Sequence, residues 1–109
     1  MQNKNTIWLG PTLHDLKKFP DKVRKHIGFA LYLAQQGLTH EDAKPLKGFK
    51  VTVWEIVSQH HGNAYRAVYT VKIKDIVYIL HMFQKKSKDG ITTPKKEIDL
   101  IKKRLQLIL

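Results

Sequence analysis

The stretch VTVWEIVSQHHGNAYRAVYTVKIKDIVYILHMF, residues 51–83, decides the fold of this chain. It contains three segments rich in β-branched and aromatic residues, at 51–57, 65–73 and 76–83, and these predict three consecutive strands. The connections between the segments are short and polar, so neighbouring strands should pair antiparallel through hairpins. The centre of the chain is therefore predicted to be a β-meander.

Helical patterns precede this meander. A short apolar strand at 6–9 is followed by a helix that Thr12 can cap, and then by a second helix with apolar residues at 3.6-residue spacing. Gly37 is expected to end the second helix. A polar connector at 39–48 then leads to the meander.

An amphipathic helix is predicted to end the chain. Thr93 is the expected N-cap of this helix, with Pro94 at its first position. The whole order predicts one α+β domain over residues 1–109, in which an antiparallel sheet is packed by two N-terminal helices and followed by the C-terminal helix.

The chain is strongly basic. Its 109 residues include 20 Lys and Arg against 9 Asp and Glu, a formal net charge of +11. Such a surface attracts polyanions, and a nucleic-acid or ribosomal partner is favoured over a merely solubilising role. No apolar run approaches the roughly 20 residues of a membrane span, and the polar start of the chain does not resemble a secretory signal. We therefore expect a cytoplasmic protein with no membrane partner.

The predicted hairpins place several polar residues on one face of the sheet. A two-residue turn at 74–75 sets His81 opposite Val68 and Lys85 opposite Ala64, and it turns Arg66 to the same face. Parity across the preceding hairpin, with a loop of two or four residues, adds Glu55 to this face. This face is expected to be the less buried one. The alternative is that these are ordinary polar residues on a solvated sheet face.

The opposite face is predicted to be the core under the two N-terminal helices. The residues that alternation assigns to it are Trp54, Ile56, Tyr65, Ala67, Tyr69, Val71, Leu80 and Met82.

The polar face could support RNA cleavage without a metal. This reaction needs a base for the 2′-hydroxyl, cations for the phosphate and an acid for the leaving oxygen. Glu55 or His81 could be the base, and His81 is the favoured acid–base group. Arg66 can hold a phosphate through a bidentate fork, with Lys85 and Lys86 as added point charges.

Other features add an RNA contact or exclude a cofactor. Phe83, on the Arg66 face, is the one aromatic residue expected to stack on a base. The adjacent His60 and His61 have no third ligand at a suitable spacing, and the chain has no Cys, so no metal site is predicted. No glycine-rich phosphate loop is present, and no cofactor is implied.

Four blocks of the sequence resemble a known toxin superfamily. KPLKG at 44–48, WEI at 54–56, YRAVY at 65–69 and LHMFQKKS at 80–87, followed by Thr93, Pro94 and a terminal helix, resemble the RelE/ParE superfamily and, within it, its phage-derived HigB-like branch. The similarity runs from about residue 8 to residue 105 and preserves the order of the blocks.

This resemblance implies a compact microbial-RNase-like fold and a toxin of a type II toxin–antitoxin system. The implied activity is cleavage of mRNA in the ribosomal A site, inhibited by a small antitoxin that often carries a helix-turn-helix. Arg66 corresponds to the phosphate-contacting arginine of the family, and His81, Lys85 and Lys86 fall where basic or acid–base residues recur. Lys47 and Lys88 are expected to add RNA contacts.

The chain departs from the family pattern near its C-terminus. It lacks the aromatic or His–aromatic pair that many family members carry there, which leaves open which residue transfers the proton.

Two other functions stay open on the sequence alone. A ParE-like inhibitor of DNA gyrase shares the fold and needs no nuclease site. A noncatalytic nucleic-acid-binding module would need only the charge.

Overall fold

The computed structural model describes residues 3–72, 75–86 and 93–109, with the side chains of residues 72 and 86 left out. The order of strands and helices confirms the predicted α+β class. The elements are β1 (Asn5–Trp8), α1 (Thr12–Lys18), α2 (Asp21–Gln35), β2 (Ala43–Leu46), β3 (Val53–His60), β4 (Asn63–Lys72), β5 (Ile76–Lys86) and α3 (Lys95–Gln106). Among the residues that the structure describes, no helix has the length and apolar character that a membrane span requires.

The five strands form one mixed sheet in the order β1-β5-β4-β3-β2. The central meander is antiparallel as predicted, and β1 adds a parallel pair with β5 that makes the sheet mixed. A parallel pair needs a long crossover, and all the elements between β1 and β5 provide it. Strand β2 lies inside the predicted polar connector and carries Pro45, which an edge strand tolerates.

The register of the long hairpin matches the prediction where it matters for the site. Val68 pairs with His81, and Ala64 pairs with Lys85. The turn itself differs, because Ile76 pairs with Lys72 instead of the predicted residue 73, which lies outside the described residues. A β-bulge between the Tyr69–Ile79 and Val68–His81 pairs restores the predicted alignment.

The first hairpin closes through a two-residue turn. His60 pairs with Asn63, and the turn residues His61 and Gly62 have φ of 50° and 79°. Positive φ at both positions is typical of a type I′ hairpin turn. The pair Gln59–Ala64 is the one expected to flank a four-residue loop at 60–63, and this register keeps Glu55 on the Arg66 face as predicted.

Both faces of the sheet are covered, which corrects the expectation of an open polar face. Helices α1 and α2 pack on one face, over a cluster that includes Ile56, Ala67, Tyr69 and Met82. Helix α3 packs on the other face, where a second cluster consists of Val53, Val68, Leu80, Phe83, Ile101 and Leu105. Leu80 was predicted for the first face, and its place in the bulge turns it to the α3 face.

Neither threonine expected to cap a helix does so. Thr12 is the first residue of α1 and is fully buried, while Pro11 occupies the N-cap position. Pro94 is the N-cap of α3, and the hydroxyl of Thr93 donates to the Glu55 carboxylate instead. The Thr93 hydroxyl thus donates to a distant carboxylate and accepts no hydrogen bond from the described backbone amides at the start of the helix.

Tyr69 makes the stability of the protein vary with pH in the alkaline range. Burial raises the pKa of its hydroxyl from 10.0 to about 12. The folded state therefore favours the neutral phenol, and this stabilisation is present below pH 10 and lost as the pH rises towards 12. We expect the wild type to lose on the order of 2 kcal/mol more stability than Tyr69→Phe between about pH 9 and pH 12, by urea unfolding. Equal losses in the two proteins would contradict this assignment.

Candidate active site

Glu55, Arg66 and Thr93 form a buried polar cluster on the α3 face of the sheet. The guanidinium of Arg66 donates from Nη1 to Glu55 Oε1 at 3.2 Å, and Thr93 Oγ1 donates to Glu55 Oε2 at 2.9 Å. Glu55 is 9% exposed and Arg66 is 4% exposed. A buried carboxylate is stable only with such partners, so each member of the cluster holds the others in place.

The strands explain why Glu55 and Arg66 meet. Val57 pairs with Arg66 and Glu55 pairs with Val68, so the two charged residues are diagonal neighbours on β3 and β4. Long side chains reach each other at this spacing. Alternation along both strands therefore suffices to form the ion pair.

His81 lies one strand further along, in contact with α3. Its Nε2 is 3.0 Å from Glu97 Oε1, and its Nδ1 is 3.2 Å from Arg104 Nη1. Arg104 Nη1 also donates to the Leu80 carbonyl oxygen at 2.8 Å. Glu97 and Arg104 are two turns apart on α3 and therefore face the same side.

These contacts determine the tautomer of the neutral His81 ring. An arginine only donates, so His81 Nδ1 must accept the hydrogen bond from Arg104. The ring proton then resides on Nε2 and points to the Glu97 carboxylate. His81 is therefore oriented by two charged partners from one helix, an arrangement that can position a group for proton transfer.

The remaining predicted site residues occupy different environments. Phe83 is 8% exposed and stacks on His81, with ring centroids 5.0 Å apart at 21°. Lys85 is half-buried near the end of β5, and Lys47 is exposed between β2 and β3. Lys86 belongs to β5, but its side chain is not described, and Lys88 lies outside the described residues.

The structure adds to the site three residues that the sequence did not assign to it: Thr93, Glu97 and Arg104. The helical spacing of α3 offered a means of finding the last two, because they share its buried side with Ile101. The sequence predicted only that this helix is amphipathic, and no polar residue on its buried side was assigned to the site. For Thr93, the sequence suggested a helix cap and contained no feature that linked it to Glu55.

The sheet and its helices define a known class of fold. The chain is similar to an arginine-substituted mutant of the E. coli toxin RelE in its free state, with a TM-score of 0.62, 17% sequence identity, and coverage of 99% of this chain and 100% of that chain. The chain therefore has a RelE-like fold.

A family model extends this result from the fold to the sequence. Residues 14–106 match the family described as phage-derived protein Gp49-like (DUF891), and the chain belongs to this family. No curated protein sequence matches the chain significantly. Family and fold together confirm the resemblance to the RelE/ParE superfamily.

Proposed function

We propose that this protein is the toxin of a toxin–antitoxin pair and that it stops translation by cleaving mRNA on the ribosome. The observation that carries the proposal is membership of the Gp49-like family together with a RelE-like fold over almost the whole chain. The formal charge of +11 agrees with an RNA and ribosome target. A ribosomal target would place the protein in the cytoplasm.

The candidate active site contains the groups that metal-independent cleavage requires. The 2′-oxygen would form a bond to phosphorus while the bond from phosphorus to the 5′-oxygen breaks. Glu55 would accept the 2′-hydroxyl proton, or His81 would do so once its Nδ1 has separated from the Arg104 guanidinium, and a protonated His81 would supply a proton to the leaving oxygen. Arg66 and Lys85 would balance the charge that grows on the phosphate.

The burial of these residues adds a requirement to the proposal. Thr93 lies against Glu55, and α3 holds His81 through Glu97 and Arg104. An RNA phosphate can contact Arg66, which is 4% exposed, only when some of the surrounding chain moves. The proposed substrate complex therefore includes a displacement of the segment around Thr93 or of α3.

The proposed partner is an acidic antitoxin, expected to be of the helix-turn-helix type. A chain this basic is neutralised most directly by an acidic or amphipathic segment laid on its cationic surface. Lys85 and Lys47 are accessible members of that surface. A complex that leaves Lys85 solvent-exposed would contradict direct occlusion of the site.

Expression of the chain alone is expected to arrest growth and protein synthesis, because no antitoxin is then present. The measurement is growth after brief induction together with primer-extension mapping of cellular transcripts, which should show new 5′ ends inside coding sequences. Lys18→Gln, which removes one exposed positive charge on α1, should arrest growth as the wild type does. Normal growth at confirmed soluble expression would count against the toxin proposal.

Noncatalytic binding of nucleic acid is the second candidate function. The observation that favours it is the burial of Glu55, Arg66 and His81, which pair with one another or with neighbouring residues as structural ion pairs do. In that case, transcripts would stay intact after induction, and RNA binding would depend on the exposed lysines alone. The transcript map therefore separates the two candidates.

A further inference from the structure

A second cluster of polar side chains lies on the other face of the sheet, away from the candidate active site. It consists of His26 on α2 and of His40 and Asp42 in the segment that leads into β2. One ligand atom of each residue lies within 4.8 Å of those of the other two. We call this set the His–Asp cluster.

His26 connects the cluster to the sheet. Its Nε2 lies 2.8 Å from Asp42 Oδ2, and its Nδ1 lies 2.8 Å from the hydroxyl of Ser58, which is 4% exposed. Histidines that bind metals commonly use one ring nitrogen for the metal and donate a hydrogen bond from the other. The Ser58 hydroxyl can both donate and accept, so it supports either tautomer of His26.

His40 lies beside the other two residues. The backbone N–H of Asp42 donates to His40 Nδ1 at 2.9 Å, so a metal bound at this nitrogen would replace that hydrogen bond. The same nitrogen lies 3.8 Å from Asp42 Oδ2. The ring is held between His26, at a centroid distance of 5.3 Å, and Phe29, at 5.6 Å.

The distances and donor types suit a transition metal such as zinc better than magnesium or calcium. Ligand atoms bound to tetrahedral zinc at about 2.0–2.2 Å are separated by roughly 3.4 Å, which lies between the two distances measured from Asp42 Oδ2. Two imidazoles and one carboxylate suit zinc, whereas magnesium and calcium prefer oxygen ligands. Asp42 is half-exposed, so it can adjust and leave a fourth position to water.

We propose that the His–Asp cluster binds one zinc ion, with His26 Nε2, a ring nitrogen of His40 and the Asp42 carboxylate as ligands and water in the fourth position. The ion would take the place of the His26 proton that faces Asp42, and His26 would then donate from Nδ1 to Ser58. Zinc would join α2 to the segment before β2 and stabilise that edge of the sheet. This proposal is independent of the proposed function, because the two sites lie on opposite faces.

The test is titration of zinc chloride into the full, chelator-treated chain in an isothermal calorimeter. Thermal melting of the chain with and without zinc is the second measurement. We expect one zinc per chain and a higher Tm with zinc, since a ligand that binds only the folded state stabilises it. Magnesium chloride at the same concentration should not raise the Tm. His26→Gln and Asp42→Asn should each weaken zinc binding by at least about tenfold.

Two further variants distinguish binding at the His–Asp cluster from nonspecific binding of zinc to other histidines. Ser58→Ala should weaken zinc binding by about tenfold, because His26 loses the hydrogen bond that orients it. His61→Asn, in the hairpin turn and outside the cluster, should bind zinc like the wild type, and Asn tolerates the positive φ of 50° at that position. Absence of one-to-one binding, or equal affinity in Asp42→Asn and wild type, would overturn the proposal, as would loss of binding in His61→Asn.

Discussion

Replacing Arg66 with Ala is expected to abolish growth arrest and to lower the free energy of unfolding by about 3 kcal/mol, because it removes one partner of a buried ion pair. Glu55 would keep only the Thr93 hydrogen bond among its described contacts. If Arg66 also holds the phosphate in the transition state, cleavage should fall by about a hundredfold for the molecules that remain folded. The measurements are urea unfolding and RNA cleavage on purified ribosomes.

Two companion variants separate stability from activity at Arg66. Arg66→Lys keeps the charge beside Glu55 but not the bidentate fork, so it should melt near the wild type and cleave with only partial activity. Glu55→Gln together with Arg66→Met removes both charges, which should recover much of the lost stability without restoring cleavage. Wild-type cleavage by either variant would show that Arg66 does not contact the phosphate.

His81→Gln is expected to lower cleavage by at least about a hundredfold while it leaves the melting temperature close to that of the wild type. The glutamine amide can donate to Glu97 and accept from Arg104, as the imidazole does, but it cannot transfer a proton near neutral pH. Thermal melting and cleavage of the same transcript on ribosomes measure the two effects.

An exposed residue of α3 provides the matching control. Lys103→Gln changes an exposed residue of α3 beside Arg104 and should affect neither quantity. If His81→Gln cleaves like the wild type, His81 only links β5 to α3, and another group such as Glu55 must transfer the proton.

Alternation along β4 and β5, together with an assumed turn, predicted the pairs from Ala64–Lys85 to Val68–His81 but not those nearer the turn. Side chains in a strand have a period of two, so the partners of Arg66 and His81 follow once the register is known. The predicted turn was displaced by one position, and the bulge near Leu80 compensated for it. The Val68–His81 pair was therefore correct, while Leu80 was assigned to the wrong face.

The amino-acid sequence by itself determined the α+β class, the meander, the two N-terminal helices and the set of polar residues on one sheet face, because these depend on local periodicity. Only the tertiary structure decided that α3 covers this face, that Thr93 reaches Glu55, and that His26 meets Asp42. Contacts between distant parts of a chain depend on how elements pack, and periodicity within an element does not specify which neighbour covers it. The burial of the predicted site is for this reason a property of the packed molecule.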